Sequence, residues 1–204
     1  MEVREVAMAT HIPTTAPPTP LPEQGKWTYE DWLKLPDNGY RYEVLDGVLY
    51  MAPPPHFSKH QRPAFYLASE MRFFAKAHQL GEVGIAPAGV RLPTQPVPVQ
   101  PDIFFIAAGR ADVRIGQYVE GAPDLIVEVL SPGNWLYDRQ EKYRAYEAAG
   151  VREYWIVDPQ AKTIEVFVLE QGTYTLVGKW GAGQRAPSQV LRGFEIAVDE
   201  VFQE

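Results

Sequence analysis

The stretch Asp124-Leu125-Ile126-Val127-Glu128-Val129-Leu130 sets one carboxylate inside a short apolar run closed by Ser131-Pro132, the pattern of a strand buried on both faces. An ionised group in such a place is expensive, so Glu128 must be protonated, paired with a cation or ligating a metal. The neighbouring segments favour the metal. Upstream, Val99-Gln100-Pro101-Asp102-Ile103-Phe104-Phe105-Ile106 reads as a second strand with one acid at its start. Downstream, Asp138 to Gly150 reads as a helix carrying Lys142. Two carboxylates on adjoining strands with an ammonium nearby are what metal-dependent phosphodiester cleavage requires.

Period two along Asp124 to Leu130 puts Glu128 on the face of Ile126 and Leu130, and places Asp102 with Phe104 and Ile106. If the two strands are neighbours, the acids share one hard divalent cation. Magnesium or manganese suits this donor set, because it needs only one or two protein carboxylates and takes its other ligands from water or phosphate. On the helix, Gln140, Arg144 and Glu147 form a solvent stripe, while Lys142, Tyr146 and Ala149 face the sheet. Asp124 is the less suitable acid. It lies four residues from Glu128 on one strand, about 13 Å of rise, too far to share an ion.

The rest of the chain bounds the reading. At 204 residues, 46% of them hydrophobic, it is long enough for a single domain with its own core. Cysteine is absent, which excludes disulfides, thiol nucleophiles and zinc–thiolate sites. No apolar run approaches the ~18 residues of a membrane span, and Met1 to Thr10 lacks the apolar core of a signal peptide, so a cytoplasmic location is expected. The net charge of −7 excludes a protein that coats nucleic acid indiscriminately. A local basic stretch remains: Lys59, Arg62, Arg72 and Lys76 stand against Glu70 alone, whereas Glu195 to Glu204 is acidic.

Prolines 13, 17, 18, 20 and 22 make residues 1–25 an extended or disordered arm, with the folded domain spanning 26–204. Thr28 caps a short helix, Tyr29 to Leu35, ended by Pro36. Tyr40 to Leu45 and Val48 to Met51 flank Asp46-Gly47, a type I′ hairpin signal. A helix to about Gln79 begins either at a Ser58–Gln61 capping box or at Arg62 with Pro63 in the first turn. Strands Val83 to Leu92, Val99 to Ala107 and Asp124 to Leu130 follow, then the Asp138 helix, then strands Glu153 to Val157, Thr163 to Leu169 and Tyr174 to Trp180. The order αβββαβ, with an N-terminal hairpin and added C-terminal strands, predicts an α/β (α+β) domain with a mixed sheet and flanking helices.

Tyr42-Glu43-Val44-Leu45-Asp46-Gly47, His60-Gln61, Gln100-Pro101-Asp102, the Ala122 to Pro132 segment, Asp138 with Glu141-Lys142, and Gly150 to Pro159 together resemble the PD-(D/E)XK superfamily of restriction-endonuclease-like proteins. Within it they resemble a bacterial restriction-endonuclease family long carried as a domain of unknown function. The resemblance implies a restriction-endonuclease-like fold and a metal-dependent endonuclease acting on DNA. It makes Asp102 the first acid, Glu128 the second and Lys142 the lysine, with Mg2+ or Mn2+ held by Asp102, Glu128 and Glu43. The lysine expected two residues after the second acid is here Leu130, so its role passes to Lys142 on the following helix. His60 and Gln61, with Lys59 and Arg62 of the same basic stretch, are the expected substrate-binding residues. Cleavage of two strands favours a homodimer.

The same residues admit structural roles: Glu43 pairing with Arg41, Lys142 with Asp138, and His60 as a cap or solvated side chain. Tyr143, Tyr146, Tyr154 and Trp155 read as core. Two other functions fit the acids: a nucleic-acid- or protein-binding module that keeps the fold without turnover, and a glycoside hydrolase using Asp102 and Glu128 as its acid and base.

Overall fold

Strand-forming segments dominate the chain after its first helix-forming stretch, and the computed structural model assembles them into one central sheet. It describes residues 21–54, 57–131 and 137–203, so most of the expected arm, residues 1–20, lies outside the described residues. In chain order the elements are α1 (Tyr29–Trp32), β1 (Arg41–Leu45), β2 (Val48–Ala52), α2 (Arg62–Ala77), β3 (Gly81–Ile85), β4 (Val90–Arg91), β5 (Ile103–Ala107), β6 (Arg114–Ile115), β7 (Val119–Glu120) and β8 (Leu125–Val129). They continue with α3 (Tyr143–Ala149), β9 (Glu153–Asp158), β10 (Thr163–Glu170), β11 (Thr173–Trp180), β12 (Arg185–Pro187), β13 (Glu195–Ala197) and α4 (Val198–Val201). Short π-helical turns, Phe57–Gln61 and Tyr137–Lys142, lead into α2 and α3.

The central sheet runs β11-β10-β9-β8-β5-β3. Only β8 and β9 pair in parallel; the other neighbours are antiparallel, giving the mixed sheet that the element order predicts. Its two faces bury separate clusters. Val127 and Trp155 pack with Leu67 and Met71 of α2 and with Phe194 and Ile196 of the C-terminal segment. Ile126 and Tyr154 pack with Tyr146 of α3 and with Leu92, Val99 and Phe104. Strand β8 therefore sends alternate side chains to two cores, and Glu128 falls on the α3 side with Ile126 and Leu130.

The Asp46-Gly47 turn takes positive φ at both residues, 49° and 74°, as a type I′ hairpin demands. Gly47 is needed for a second reason: a Cβ there would lie 2.5 Å from the Gly25 carbonyl oxygen. Gly25 and Trp27 both donate backbone hydrogen bonds to Gly47, and Gln24 caps Leu49, so residues just before 26 are bound to the hairpin.

Several boundaries differ from the sequence reading. The strand expected over Val83 to Leu92 stops at Ile85, because Pro87 has no N–H to extend a ladder, and Val90–Arg91 joins a separate sheet, β4-β7-β6. The Val99 to Ala107 strand is regular only from Ile103, which leaves Asp102 just outside the ladder. Helix α2 starts at Arg62 with Pro63 in its first turn, the second of the two starts considered, and ends at Ala77. Gly81, four residues past the helix end, opens β3, where its Cα faces Ile106 and Ala107 of the neighbouring strand too closely for any side chain. The first helix ends at Trp32, short of Leu35, behind the expected Thr28 cap with Asp31 completing a capping box. Among the described residues no helix is long and apolar enough to cross a membrane.

Candidate metal centre

Antiparallel pairing of β5 and β8 matches Ile103 with Val127 and Phe104 with Ile126, so the next pair outward is Asp102 and Glu128. Directly opposed residues of an antiparallel pair share a face, which puts both acids on the α3 side at one end of the sheet. Both are buried. Asp102 is held from three directions: Val129 N–H donates to Oδ2 at 2.9 Å, His60 Nε2 lies 3.1 Å from Oδ2, and Arg41 Nη1 donates to Oδ1 at 3.2 Å.

Strand β1 supplies the next layer. Arg41 and Glu43, two residues apart, project from the same side of the strand. Arg41 also donates to the Gln100 carbonyl at 3.2 Å, and Glu43 Oε1 accepts the Gln100 N–H at 2.8 Å. The hairpin is thus fastened to the segment that ends in Asp102.

The turn entering α3 supplies the cation. Lys142 is fully buried, with Nζ 2.9 Å from Glu128 Oε1, 3.3 Å from Glu43 Oε2 and 3.5 Å from Asp138 Oδ1. Asp138, Lys142 and Tyr146 follow one another at i, i+4 spacing, and the Tyr146 hydroxyl donates to Glu128 Oε1 at 2.6 Å. The ammonium is in ionic contact with three carboxylates, yet none of these contacts has hydrogen-bond alignment among the described residues. Its N–H groups are committed by charge and not by direction.

Charge decides what this cluster can hold. The four buried carboxyl groups Glu43, Asp102, Glu128 and Asp138 meet two permanent cations, the buried Lys142 and the partly exposed Arg41, so acids outnumber fixed cations two to one. Burial, reinforced by Asp102, Asp138 and Glu43 and opposed by Lys142, pushes the Glu128 carboxyl up to about 8. Burial likewise lifts Asp138 to about 6, against the pull of Lys142. For Asp102 burial acts upward too, but the hydrogen bond and charge of His60 and the charges of Arg41 and Lys142 prevail and hold it below the usual carboxylate range. Burial would lower Lys142; the charges of Glu128, Glu43 and Asp138 win and raise it above its ordinary value, so it stays an ammonium.

These observations test the fit of a divalent ion. No three imidazole or carboxylate groups among the described residues converge as ligands of one metal, so these residues offer no closed cage. The cluster's hard oxygen donors, more numerous than the fixed cations beside them, fit the open kind of site, where Mg2+ or Mn2+ takes one or two carboxylates and completes its shell with water or phosphate.

The other expected residues divide. His60 is buried against Asp102 and is neither a cap nor a solvated side chain. Gln61 and Arg62 line a cleft of about 820 Å³ that ends on Arg41, His60 and Asp102. Lys59 lines a different cavity, with Ser58, Ser131, Arg139 and Lys162, on another side of the π-helical turn from His60 and Gln61. Asp124, at the far end of β8, accepts from Arg110 at 2.6 Å, from Arg152 at 2.9 Å and from the Ala107 N–H at 2.8 Å, a purely structural node. Sequence reasoning gave Arg41, Asp138 and Tyr146 no place among the site residues. The period-two step from Arg41 to Glu43 and the i, i+4 steps around Lys142 were the available signals.

A family model, Uma2, described as "Putative restriction endonuclease", matches residues 29–199. No curated protein matches the chain. Among solved structures, one from Anabaena variabilis described as a "putative nuclease belonging to DUF820" superposes with a TM-score of 0.71 at 19% identity, covering 86% of this chain and 97% of that one. At that identity the likeness shows the fold. The family match over most of the chain shows the membership: the chain belongs to the Uma2 family, of restriction-endonuclease-like fold.

Proposed function

We propose that the chain is a metal-dependent endonuclease that hydrolyses DNA phosphodiester bonds, with Mg2+ or Mn2+ held by Asp102 and Glu128 and with Glu43 beside them. The observation that carries this reading is the convergence of four buried carboxyl groups, Glu43, Asp102, Glu128 and Asp138, on two permanent cations, Lys142 at 2.9 Å from Glu128 and Arg41 at 3.2 Å from Asp102. When bound, the ion supplies Lewis-acid polarisation of a phosphoryl oxygen and a bound water of lowered pKa.

The chain's own groups do the rest. Val129 N–H, His60 and Arg41 fix Asp102 as an oriented carboxylate, and Tyr146 orients Glu128. Lys142, kept charged by its carboxylates, serves as a donor to the phosphoryl oxygens or the attacking water and not as a base. In the reaction the water oxygen bonds to phosphorus, one ester P–O bond breaks, and the departing oxygen takes up a proton.

The test is cleavage of supercoiled, linear and single-stranded DNA by purified protein with Mg2+ or Mn2+ and with EDTA. Cleavage only with the metal is expected, and metal-independent cleavage excludes the mechanism. One observation favours a second reading: Lys142 already neutralises Glu128 directly, as it would in a binding module that keeps the fold without turnover. Failure to cut any DNA form with either metal would select that module.

A further inference from the structure

The cleft that ends on Asp102 has walls of the wrong chemistry for a duplex backbone. Among its described lining residues only Arg41, His60 and Arg62 can carry positive charge, and the first two are committed to Asp102. Duplex binding draws its affinity from many Lys and Arg contacts to phosphates. This wall is instead apolar and aromatic: Tyr40, Phe57, Phe65 and Ile85 line it while remaining 44%, 68%, 71% and 51% exposed.

Phenyl groups left in water around a concave site lined by Asp102 call for a flat apolar ligand. The Arg62 guanidinium lies 5.7 Å from the centre of the Phe57 ring, adding a cationic edge to that surface. The Gln61 and Gln100 amides supply hydrogen-bonding groups along the same wall. Base faces match these walls, and in an intact duplex those faces are covered by their stacked neighbours. The volume, about 820 Å³, is that of a small-ligand pocket and suits a few unpaired nucleotides.

We propose that this cleft binds unpaired nucleotides by stacking their bases on Phe57 and Phe65, so that the substrate class is single-stranded DNA. The identity of the polymer rests on the nuclease reading above. The stacking itself rests on the wall.

Fluorescence anisotropy in EDTA, at one fixed salt concentration, compares a labelled oligodeoxythymidine with a blunt duplex of equal length. The single strand should bind at least tenfold more tightly. Phe65→Ala and Phe57→Ala should each weaken it about tenfold, since stacking on an aromatic ring is the main sequence-tolerant contact to a base. Phe65→Tyr should preserve binding. Phe73, 72% exposed on the same helix but outside the cleft, should tolerate alanine without effect. Both phenyls are exposed, so the alanine variants should keep the wild-type circular dichroism. Duplex binding as tight as single-strand binding, no DNA binding, or unchanged affinity in both alanine variants overturns the proposal. So does a homodimer that Phe65→Asp dissociates, which would show a second copy of the chain in the cleft. Cleavage scored separately with Mg2+ or Mn2+ distinguishes the two readings. Single-strand preference without cleavage upholds the stacking cleft and removes the nuclease, whereas cleavage with duplex preference does the reverse.

Discussion

Glu128 is ionised only at a cost, and that cost has a sign that solution measurements can read. Its carboxyl is lifted from an ordinary 4.5 to about 8, chiefly by burial. The folded state then holds the proton more tightly than the unfolded chain. Its contribution is fully present below about pH 4.5 and is lost as pH rises through the folded value near 8. Asp102 runs the other way: its lowered value adds stability above the ordinary 3.8 that is lost only in acid. In EDTA the melting temperature of the wild type should therefore fall between pH 5 and pH 8 relative to that of Glu128→Gln, which carries no such charge. A wild type whose melting profile parallels the variant's across that range would mean that Glu128 ionises without penalty. In the cleavage assay the same substitution should cost more than about tenfold, roughly 1.4 kcal/mol or more of transition-state stabilisation, because it removes a proposed ligand of the ion. Equal activity in the variant would place the metal elsewhere.

At the scale of elements, β8 carries an acid at each end, and the two ends should behave differently. Asp124 is tied to Arg110, Arg152 and the Ala107 N–H, so Asp124→Ala strands partly buried donors and should cost roughly 3 kcal/mol in urea unfolding. Cleavage per folded molecule should be unchanged by it. A lost activity in a fully folded Asp124→Ala protein would contradict the assignment of this acid as structural. The strand itself was legible as a short, continuous apolar run, because each face of β8 meets a separate core, and its period of two decides which core receives Glu128. The hairpin was legible for an equally local reason, the two positive φ angles that Asp46-Gly47 tolerates. Short elements such as β4, β6 and β12 were not. Two or three residues carry no period, and their pairing is decided by what the larger sheet leaves exposed. Arg41 was missed for a related reason: nothing in its own neighbourhood announces Asp102, which only the docking of β1 on the Gln100 segment brings within 3.2 Å.

Across the whole molecule the net charge of −7 sets the expected response to salt. A protein that engaged a duplex through many phosphates would release many counterions and lose affinity by about 10³-fold or more between 50 and 200 mM salt. Among the described residues the cleft offers Arg62 as its one lining cation not bonded to Asp102, within a molecule of opposite overall sign. For a single strand the logarithmic slope is about −0.7 for each phosphate neutralised, so one or two contacts give a slope of about −1. Affinity for an oligodeoxythymidine should then fall only about fourfold over the same salt range, with the remainder carried by salt-insensitive stacking. Arg62→Ala should flatten the slope by about 0.7 while leaving most of the affinity in place. Anisotropy titrations at several salt concentrations measure both quantities. A steep slope, on the order of −5 or beyond, would mean that the nucleic acid follows a basic track outside the aromatic cleft.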